Sequence, residues 1–175
     1  MYNKELSNEL ANDLEKTDGF IINQTKGIVS HLRYGFSTTG PSGCGWVATY
    51  NALKMLGVSM EPHDIIREYE MSSGLMMYGF SGTNPLPIAQ FFIKRDYNVN
   101  ITFNTMNYDY MASTNKTNIL NYSHSEGGHY VALNGEISNF SIYNFSSNST
   151  GIDVLKRTLN DFVLNRDYSI LISIS

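Results

Sequence analysis

The residue with the clearest chemical potential in this 175-residue chain is its only cysteine, Cys44. It follows a turn rich in glycine and proline and begins the stretch 44–56, whose composition predicts a helix. At a helix N-terminus, unpaired main-chain N–H groups and the helix dipole stabilise a thiolate and lower the thiol pKa. Gly43 and Gly45 flank the sulfur without side chains, which favours close approach of a substrate carbonyl. The segment predicts a nucleophile; the alternative is a buried, inert thiol.

Two downstream segments supply the partners that a thiol nucleophile needs. Gly128 precedes His129, which opens an apolar run typical of a strand, and Asn144 lies fifteen positions later (144 − 129) on an alternating stretch that predicts a second strand. On adjacent antiparallel strands, the Asn144 amide oxygen would accept one ring N–H of His129 while the other ring nitrogen faces Cys44. Cys44, His129 and Asn144 therefore form a candidate catalytic triad.

These segments resemble the papain-like cysteine peptidases and, among them, the C39-like branch. The resemblance lies in Gly-Cys-Gly at residues 43–45, Gly-His-Tyr-Val at residues 128–131 and Ile-Tyr-Asn at residues 142–144, and it spans about three-fifths of the chain. It implies an α+β, papain-like cysteine peptidase fold, with N-terminal helices and the nucleophile helix packed on a C-terminal antiparallel sheet. It also implies a peptidase activity.

The chain departs from the family pattern at the oxyanion hole. The family usually carries glutamine six positions before the cysteine, where this chain has Thr38 (44 − 6), followed by Thr39. These two threonines are the oxyanion-hole candidates, and losing one such donor costs on the order of a hundredfold in rate. Asn144 and Phe145 also replace the commoner aspartate and proline. Gly43, Gly45 and Gly128 are the candidate substrate-binding positions.

The residues and the resemblance together predict a cysteine-nucleophile hydrolase, a peptidase or amidase, acting on a peptide or amide bond. A thiol acyl or peptidyl transferase would use the same three residues, with an amine in place of water. The missing glutamine motivates a third hypothesis, a catalytically inactive papain-like module that binds a peptide or protein partner. A redox role for Cys44 would require a second, resolving cysteine, and the sequence has none.

Length and composition predict one domain, 1–175, with residues 1–30 as an N-terminal extension packed on it. The formal net charge is −4 and the Lys and Arg residues are scattered, which argues against a nucleic-acid surface. No segment predicts a signal peptide or a membrane span, and a lone cysteine suits a cytoplasmic location. We expect no cofactor, and no metal, because His31, His63 and His124 lack the close spacing of zinc ligands. The sequence does not indicate an oligomeric state.

Periodicity predicts the remaining elements. Helical spacing covers 4–16, 44–56, 62–70, 85–94 and 152–164, and alternation predicts strands at 20–22, 99–103, 119–122, 130–134, 140–145 and 168–174. Residues 105–116 show no clear period and are predicted to form a loop. Thr83 is predicted to cap the helix that begins at Pro85. The apolar run 75–80 is either a specificity surface or a segment packed beneath the helices.

Overall fold

The computed structural model describes residues 2–104, 106–125 and 127–175. Its helices are α1 (Tyr2–Leu14), α2 (Thr39–Ser42), α3 (Cys44–Met55), α4 (Pro62–Met71), α5 (Pro85–Ile93), α6 (Tyr108–Thr114) and α7 (Leu159–Val163). Its strands are β1 (Arg33–Tyr34), β2 (Ser37–Thr38), β3 (Val99–Phe103), β4 (Thr117–His124), β5 (Gly127–Glu136), β6 (Asn139–Tyr143), β7 (Asp153–Leu155) and β8 (Ser169–Ile174). The expected combination of helices with a C-terminal antiparallel sheet is confirmed.

The main sheet has six strands in the order β3-β8-β4-β5-β6-β7, and every neighbouring pair is antiparallel. The neighbouring inner strands β4 and β8 are buried along nearly their whole length. Side chains alternate between the two faces: Ile119 and Ile172 pack in a cluster with α3, α4 and α5, whereas Leu120 and Leu171 pack in a second cluster with α6 and α7. The sheet is therefore the middle of three layers.

Helix α3 places Cys44 against the sheet, because it packs on β5 and β4. All its residues from Cys44 to Leu53 are buried. The buried amide of Asn51 accepts from the main-chain N–H of Ile21 at 2.9 Å and donates to the Ile21 carbonyl at 2.9 Å. These bonds satisfy the main-chain N–H and carbonyl of Ile21. The segment 20–22, predicted to be a strand, is instead an irregular segment held by a side chain.

The first 30 residues contribute to the same core. Leu10, Ile21 and Val29 belong to the buried cluster that contains α3. The irregular segment that follows α1 brings Asn23 and Gln24 to the cleft beside Cys44. Within the described residues, no helix combines the length and the apolar character needed to cross a lipid bilayer.

The predicted helix over 152–164 is wrong, since this segment splits into β7 and α7. Strand β7 adds to the edge of the sheet by pairing with β6, and Thr158 then accepts a hydrogen bond from the Asp161 N–H at 3.0 Å to cap α7. The predicted loop over 105–116 instead contains α6, although Thr105 itself lies outside the described residues. The Asp109 carboxylate of α6 accepts from the main-chain N–H groups of Leu159 and Asn160, at 2.7 and 3.1 Å. Tertiary contacts thus override weak local periodicity.

Two smaller predictions change as well. Asn84, not Thr83, caps α5, because its side chain accepts from the Leu86 N–H at 3.1 Å. The Thr83 hydroxyl instead contacts the hydroxyl of Tyr34 at 2.6 Å. In the apolar run 75–80, the side chains of Met77, Tyr78 and Phe80 are exposed, so most of this run does not pack beneath the helices.

Candidate functional site

A cleft of about 670 Å³ opens where the start of α3 meets the ends of β4 and β5 and the turn after β6. Cys44, His129 and Asn144 all line it, although they are separated by up to 100 positions in the chain (144 − 44). Gln24 and Arg166, which sequence reasoning did not single out, line it too. The three residues predicted to act together are therefore in one place.

The Cys44 side chain is only 7% exposed. Burial raises the pKa of its thiol above the ordinary value of 9.0, and hydrogen bonds from the main-chain N–H groups of Tyr130, Gly45 and Cys44 itself oppose this without cancelling it. The edge of β5 is open at Tyr130 because β6 pairs with β5 only from Ala132 onward. The expected lowering of the thiol pKa at the helix N-terminus is therefore outweighed by burial, and the resting thiol is neutral.

His129 is also neutral in the resting site. Burial lowers the pKa of its imidazole below the ordinary value of 6.5; the hydrogen bond to Asn144 raises it, and the neighbouring His124 lowers it further. The ring stands edge-on to Tyr122, with centroids 5.9 Å apart. Both Cys44 and His129 lie in the described part of the chain, and no hydrogen bond joins them. The pair is a thiol and an imidazole facing one cleft, not a preformed ion pair.

The contact between His129 and Asn144 differs from the expected one. Nε2 of His129 lies 2.7 Å from the main-chain oxygen of Asn144, and the hydrogen bonds of the Asn144 side chain go to Gln24 instead of the ring. A carbonyl oxygen can only accept, so Nε2 carries the proton and Nδ1 is left with its lone pair. The tautomer that a general base requires is thus fixed by the main chain.

The backbone of Asn144 explains how its carbonyl reaches the ring. Asn144 follows directly after β6 and has a φ of 62°, in the left-handed region that asparagine tolerates better than most residues. This conformation ends the strand and turns the carbonyl toward His129. Its side chain, which is 2% exposed, points instead to Gln24. The prediction that Asn144 continues the strand is corrected accordingly.

Gln24 is the residue that the sequence did not reveal. The main-chain N–H of Gln24 donates to Oδ1 of Asn144 at 2.8 Å, and its side-chain Oε1 accepts from Nδ2 of Asn144 at 2.7 Å. Its own Nε2 donates to the carbonyls of Thr39 and Gly40, at 3.1 and 2.9 Å, just before Cys44. It lies twenty positions before Cys44 (44 − 24), outside any helix or strand, so neither spacing nor periodicity marked it.

The structure does not place Thr38 or Thr39 among the residues that line the cleft. Thr39 is fully buried: its hydroxyl donates to the Leu32 carbonyl at 3.0 Å and accepts from the Trp46 indole at 3.1 Å. Thr38 is half-buried at the start of α2, and its side chain makes no capping bond there. The position six residues before Cys44 therefore supplies no donor to the cleft. A glutamine side chain does line the cleft, and it is that of Gln24.

The candidate glycines have separate reasons to lack side chains. A Cβ on Gly43 would lie 2.6 Å from Cγ2 of Thr39 and 2.7 Å from the Trp46 indole nitrogen, and one on Gly45 would collide with Thr83. Gly43 and Gly45 thus permit tight packing behind the sulfur. Gly128 does line the cleft, and a Cβ there would collide with the Tyr168 hydroxyl.

In the part of the chain that the structure describes, no three His, Cys, Asp or Glu side chains are grouped to hold a metal ion. Of His31, His63 and His124, only His124 lies at the cleft, with its ring centroid 6.0 Å from that of His129.

Comparison with known proteins adds one finding about the fold. One solved structure that matches is the peptidase domain of Streptococcus ComA, a bifunctional ABC transporter involved in a quorum-sensing pathway, with a TM-score of 0.50 and 16% identity. The match covers 74% of this chain and 90% of that domain. The chain shares its fold with a peptidase domain. At this identity the similarity concerns the peptidase-like fold alone. No family model and no curated protein matches the sequence.

Proposed function

We propose that the protein is a cysteine-nucleophile hydrolase that cleaves a peptide or amide bond, with Cys44 as nucleophile and His129 as general base and acid. The observation that carries this proposal is the Asn144 carbonyl, which holds His129 with Nδ1 unprotonated in the cleft that contains the only thiol. A general base must present a lone pair, and a ring held with Nδ1 free does so. The peptidase-like fold supports the same assignment.

The proposed reaction starts from the neutral pair. Nδ1 of His129 takes the thiol proton as Sγ of Cys44 bonds to the substrate carbonyl carbon, and the carbonyl oxygen becomes an oxyanion. The C–N bond then breaks, and the leaving amine takes the proton from His129, which leaves a thioester on Cys44. Water attacks the thioester, gives its proton to His129 and releases the acid, and the proton returns to the thiolate.

The main chain supplies the oxyanion donors in this proposal. The N–H groups of Cys44 and Gly45 already lie at the sulfur and are rigidly held at the start of α3. Both Nε2 hydrogens of Gln24 are engaged by carbonyls, so Gln24 acts by positioning the Asn144 carbonyl and the turn before Cys44. Asn144 likewise acts as a positioning residue through its main chain.

A second candidate function is a binding module on the same fold without catalysis. It is favoured by the raised pKa of the Cys44 thiol and by the missing hydrogen bond between that thiol and His129. A transferase would use the same groups, with an amine resolving the thioester.

The free thiol also fits a reducing compartment, which is why we propose a cytoplasmic location.

The experiment is exposure of a complex peptide mixture to the protein, with new termini mapped by mass spectrometry. Wild type is compared with Cys44→Ala, His129→Ala and, as a matched control, His31→Ala, whose histidine is exposed outside the cleft. The hydrolase is expected to produce cleavages that the first two variants lack and the control retains. Products that instead join two peptides would show transfer. Identical peptide profiles for wild type and Cys44→Ala would refute the hydrolase and leave the binding module.

A further inference from the structure

Arg166 is the permanently charged side chain among the described residues that line the cleft with Cys44. It follows α7, where its N–H donates to the Val163 carbonyl at 2.9 Å, and it is half-buried. None of the steps proposed for Cys44 and His129 uses it. Its presence beside the nucleophile therefore needs a separate explanation.

The guanidinium of Arg166 is held in one orientation by three contacts. It lies 5.0 Å from the ring centre of Tyr122 and 5.1 Å from that of Phe162, and Nη1 donates to the Ser123 carbonyl at 3.0 Å. Stacking on aromatic faces fixes the plane of the fork and leaves its other N–H groups available. An arginine held this way loses little freedom when it binds a ligand.

No carboxylate among the described residues forms an ion pair with Arg166. Among the described residues that line the cleft there is no Asp or Glu, whereas His124 and His129 add polar ring nitrogens to the lining. A half-buried guanidinium without a carboxylate partner has unused donors in the geometry that matches a carboxylate. The charge balance of the cleft thus favours an anionic group on whatever occupies it.

Tyr122 lines the cleft together with Arg166 and Cys44. Burial raises the pKa of the Tyr122 phenol to about 12; the charge of Arg166 lowers it and that of the Cys44 thiolate raises it. The one phenol therefore lies within electrostatic reach of both groups. Arg166, stacked on the Tyr122 ring, and Cys44 line one cleft, so a substrate bound at the sulfur can also meet the guanidinium.

We propose that Arg166 is a specificity residue that binds a carboxylate of the substrate, so that the preferred substrates are peptides or amides with a carboxylate close to the scissile bond. The carboxylate is either an acidic side chain or the terminal carboxylate of the chain. This inference rests on the proposed hydrolase function and names its substrate class.

The test uses three reagents of matched size that alkylate Cys44: N-iodoacetyl-glutaminamide, which is neutral, N-iodoacetyl-glutamine, which carries a terminal carboxylate, and the N-iodoacetyl α-amide of glutamic acid, which carries a side-chain carboxylate. Rates are read by intact mass, which is unambiguous with one cysteine, and are normalised to those of a small free thiol. Wild type is compared with Arg166→Gln and with Arg157→Gln. Arg157 stacks on the same Phe162 ring, at 5.1 Å, but does not line the cleft. Its variant therefore removes an equal charge without changing the lining of the cleft.

At least one carboxylate reagent is expected to react about tenfold faster than the neutral one with wild type and Arg157→Gln, and at the neutral rate with Arg166→Gln. The faster reagent identifies the source of the carboxylate. Equal normalised rates for all three reagents with wild type would overturn the proposal, as would an advantage that survives in Arg166→Gln. If that variant does not fold, Arg166→Lys replaces it: a severalfold smaller advantage supports the proposal, and an unchanged one overturns it.

The same reagents separate this proposal from the hydrolase proposal. The rate of the neutral reagent, compared between wild type and His129→Ala, measures activation of the thiol by His129. The ratio of the rates of the charged and neutral reagents measures the contribution of Arg166. The ratio is measured at a pH above the thiol pKa as well, where the thiolate forms without help from His129. If the carboxylate reagents react no faster than the neutral one while His129 still activates the thiol, only the carboxylate site is refuted. If the carboxylate reagents keep their advantage while His129→Ala reacts as fast as wild type, only the hydrolase is refuted.

Discussion

Gln24 and the side chain of Asn144 are joined by two hydrogen bonds across 120 positions of sequence: the main-chain N–H of Gln24 donates to Oδ1 of Asn144, and Nδ2 of Asn144 donates to Oε1 of Gln24. Asn144 holds His129 by its carbonyl, and Gln24 holds the turn at Thr39 and Gly40 that leads to Cys44. The two amides are 6% and 2% exposed, so their bonds are sheltered from water. This pair is the physical link between His129 and the turn before Cys44.

Replacing either amide should therefore destabilise the fold. We expect Gln24→Ala and Asn144→Ala each to lower the free energy of unfolding by about 2 to 3 kcal/mol, because each leaves buried polar groups without partners. The double variant should cost at least about 1 kcal/mol less than the sum of the two. Urea denaturation measures all three. Gln90→Ala, on the exposed face of α5, is the matched control and should change stability little; additive losses would mean that the pair does not act as a unit.

Aspartate at position 144, the commoner residue in the resembling family, should be unfavourable in this chain. One carboxylate oxygen of Asn144→Asp would face Oε1 of Gln24, where the amide now donates at 2.7 Å. We expect a loss of about 3 kcal/mol near neutral pH, because a buried charge loses a partner. The loss should shrink as pH falls, since a protonated carboxyl can donate to that oxygen.

Chemical denaturation as a function of pH measures this effect. Asn148→Asp, an exposed position whose side chain makes no hydrogen bond in the structure, is the control for the added charge. A stability of Asn144→Asp equal to that of wild type at every pH would contradict the reciprocal pairing.

The neutral imidazole of His129 makes stability depend on pH in a definite direction. Its folded-state pKa is lowered from 6.5, chiefly by burial, so the unfolded chain binds a proton more readily. The contribution to stability is complete above the unfolded pKa of 6.5, and it is lost as pH falls below that value toward the folded-state pKa. The difference in unfolding free energy between wild type and His129→Ala should therefore narrow as the solution is acidified from about pH 7. A difference that widens on acidification would show a raised pKa instead.

The residue after Cys44, Gly45, is packed tightly against Thr83. A Cβ on Gly45 would collide with Thr83, whose hydroxyl contacts Tyr34 and whose carbonyl accepts from the Tyr130 hydroxyl. We expect Gly45→Ala to destabilise the fold by about 2 kcal/mol or more, since overpacking forces neighbouring groups to shift. Gly151→Ala, at a position with open space around it, is the control. A thermal melt of Gly45→Ala that matches wild type would contradict this packing.

The sequence predicted the elements whose periodicity is reinforced by the fold. Helix α3 and strand β3 were placed within a residue or two, because an apolar helix ending at glycine and an alternating strand are preserved in the core. The helix predicted over 152–164 is wrong for the opposite reason. Its apolar residues are spaced like a helix, but Leu155 pairs with Phe140 at the sheet edge, and this long-range pairing is invisible locally.

The site was predicted in its residues more than in its contacts. Residue types and spacing placed Cys44, His129 and Asn144 in one cleft, but not the main-chain bond from His129 to Asn144. That bond depends on a left-handed residue, and such a backbone conformation leaves a weak signal in sequence. Gln24 was missed because its role comes from an irregular segment that only the tertiary fold brings to the cleft.

The central claim, that His129 activates Cys44, is tested most directly by the pH dependence of Cys44 alkylation with iodoacetamide in wild type and His129→Ala. We predict that at about pH 7 wild type reacts at least about a hundredfold faster than the variant. The wild-type rate should fall only where His129 gains its proton, below 6.5, whereas the variant should follow the thiol pKa, above 9.0. Superimposable profiles, both rising only above 9.0, would contradict the claim.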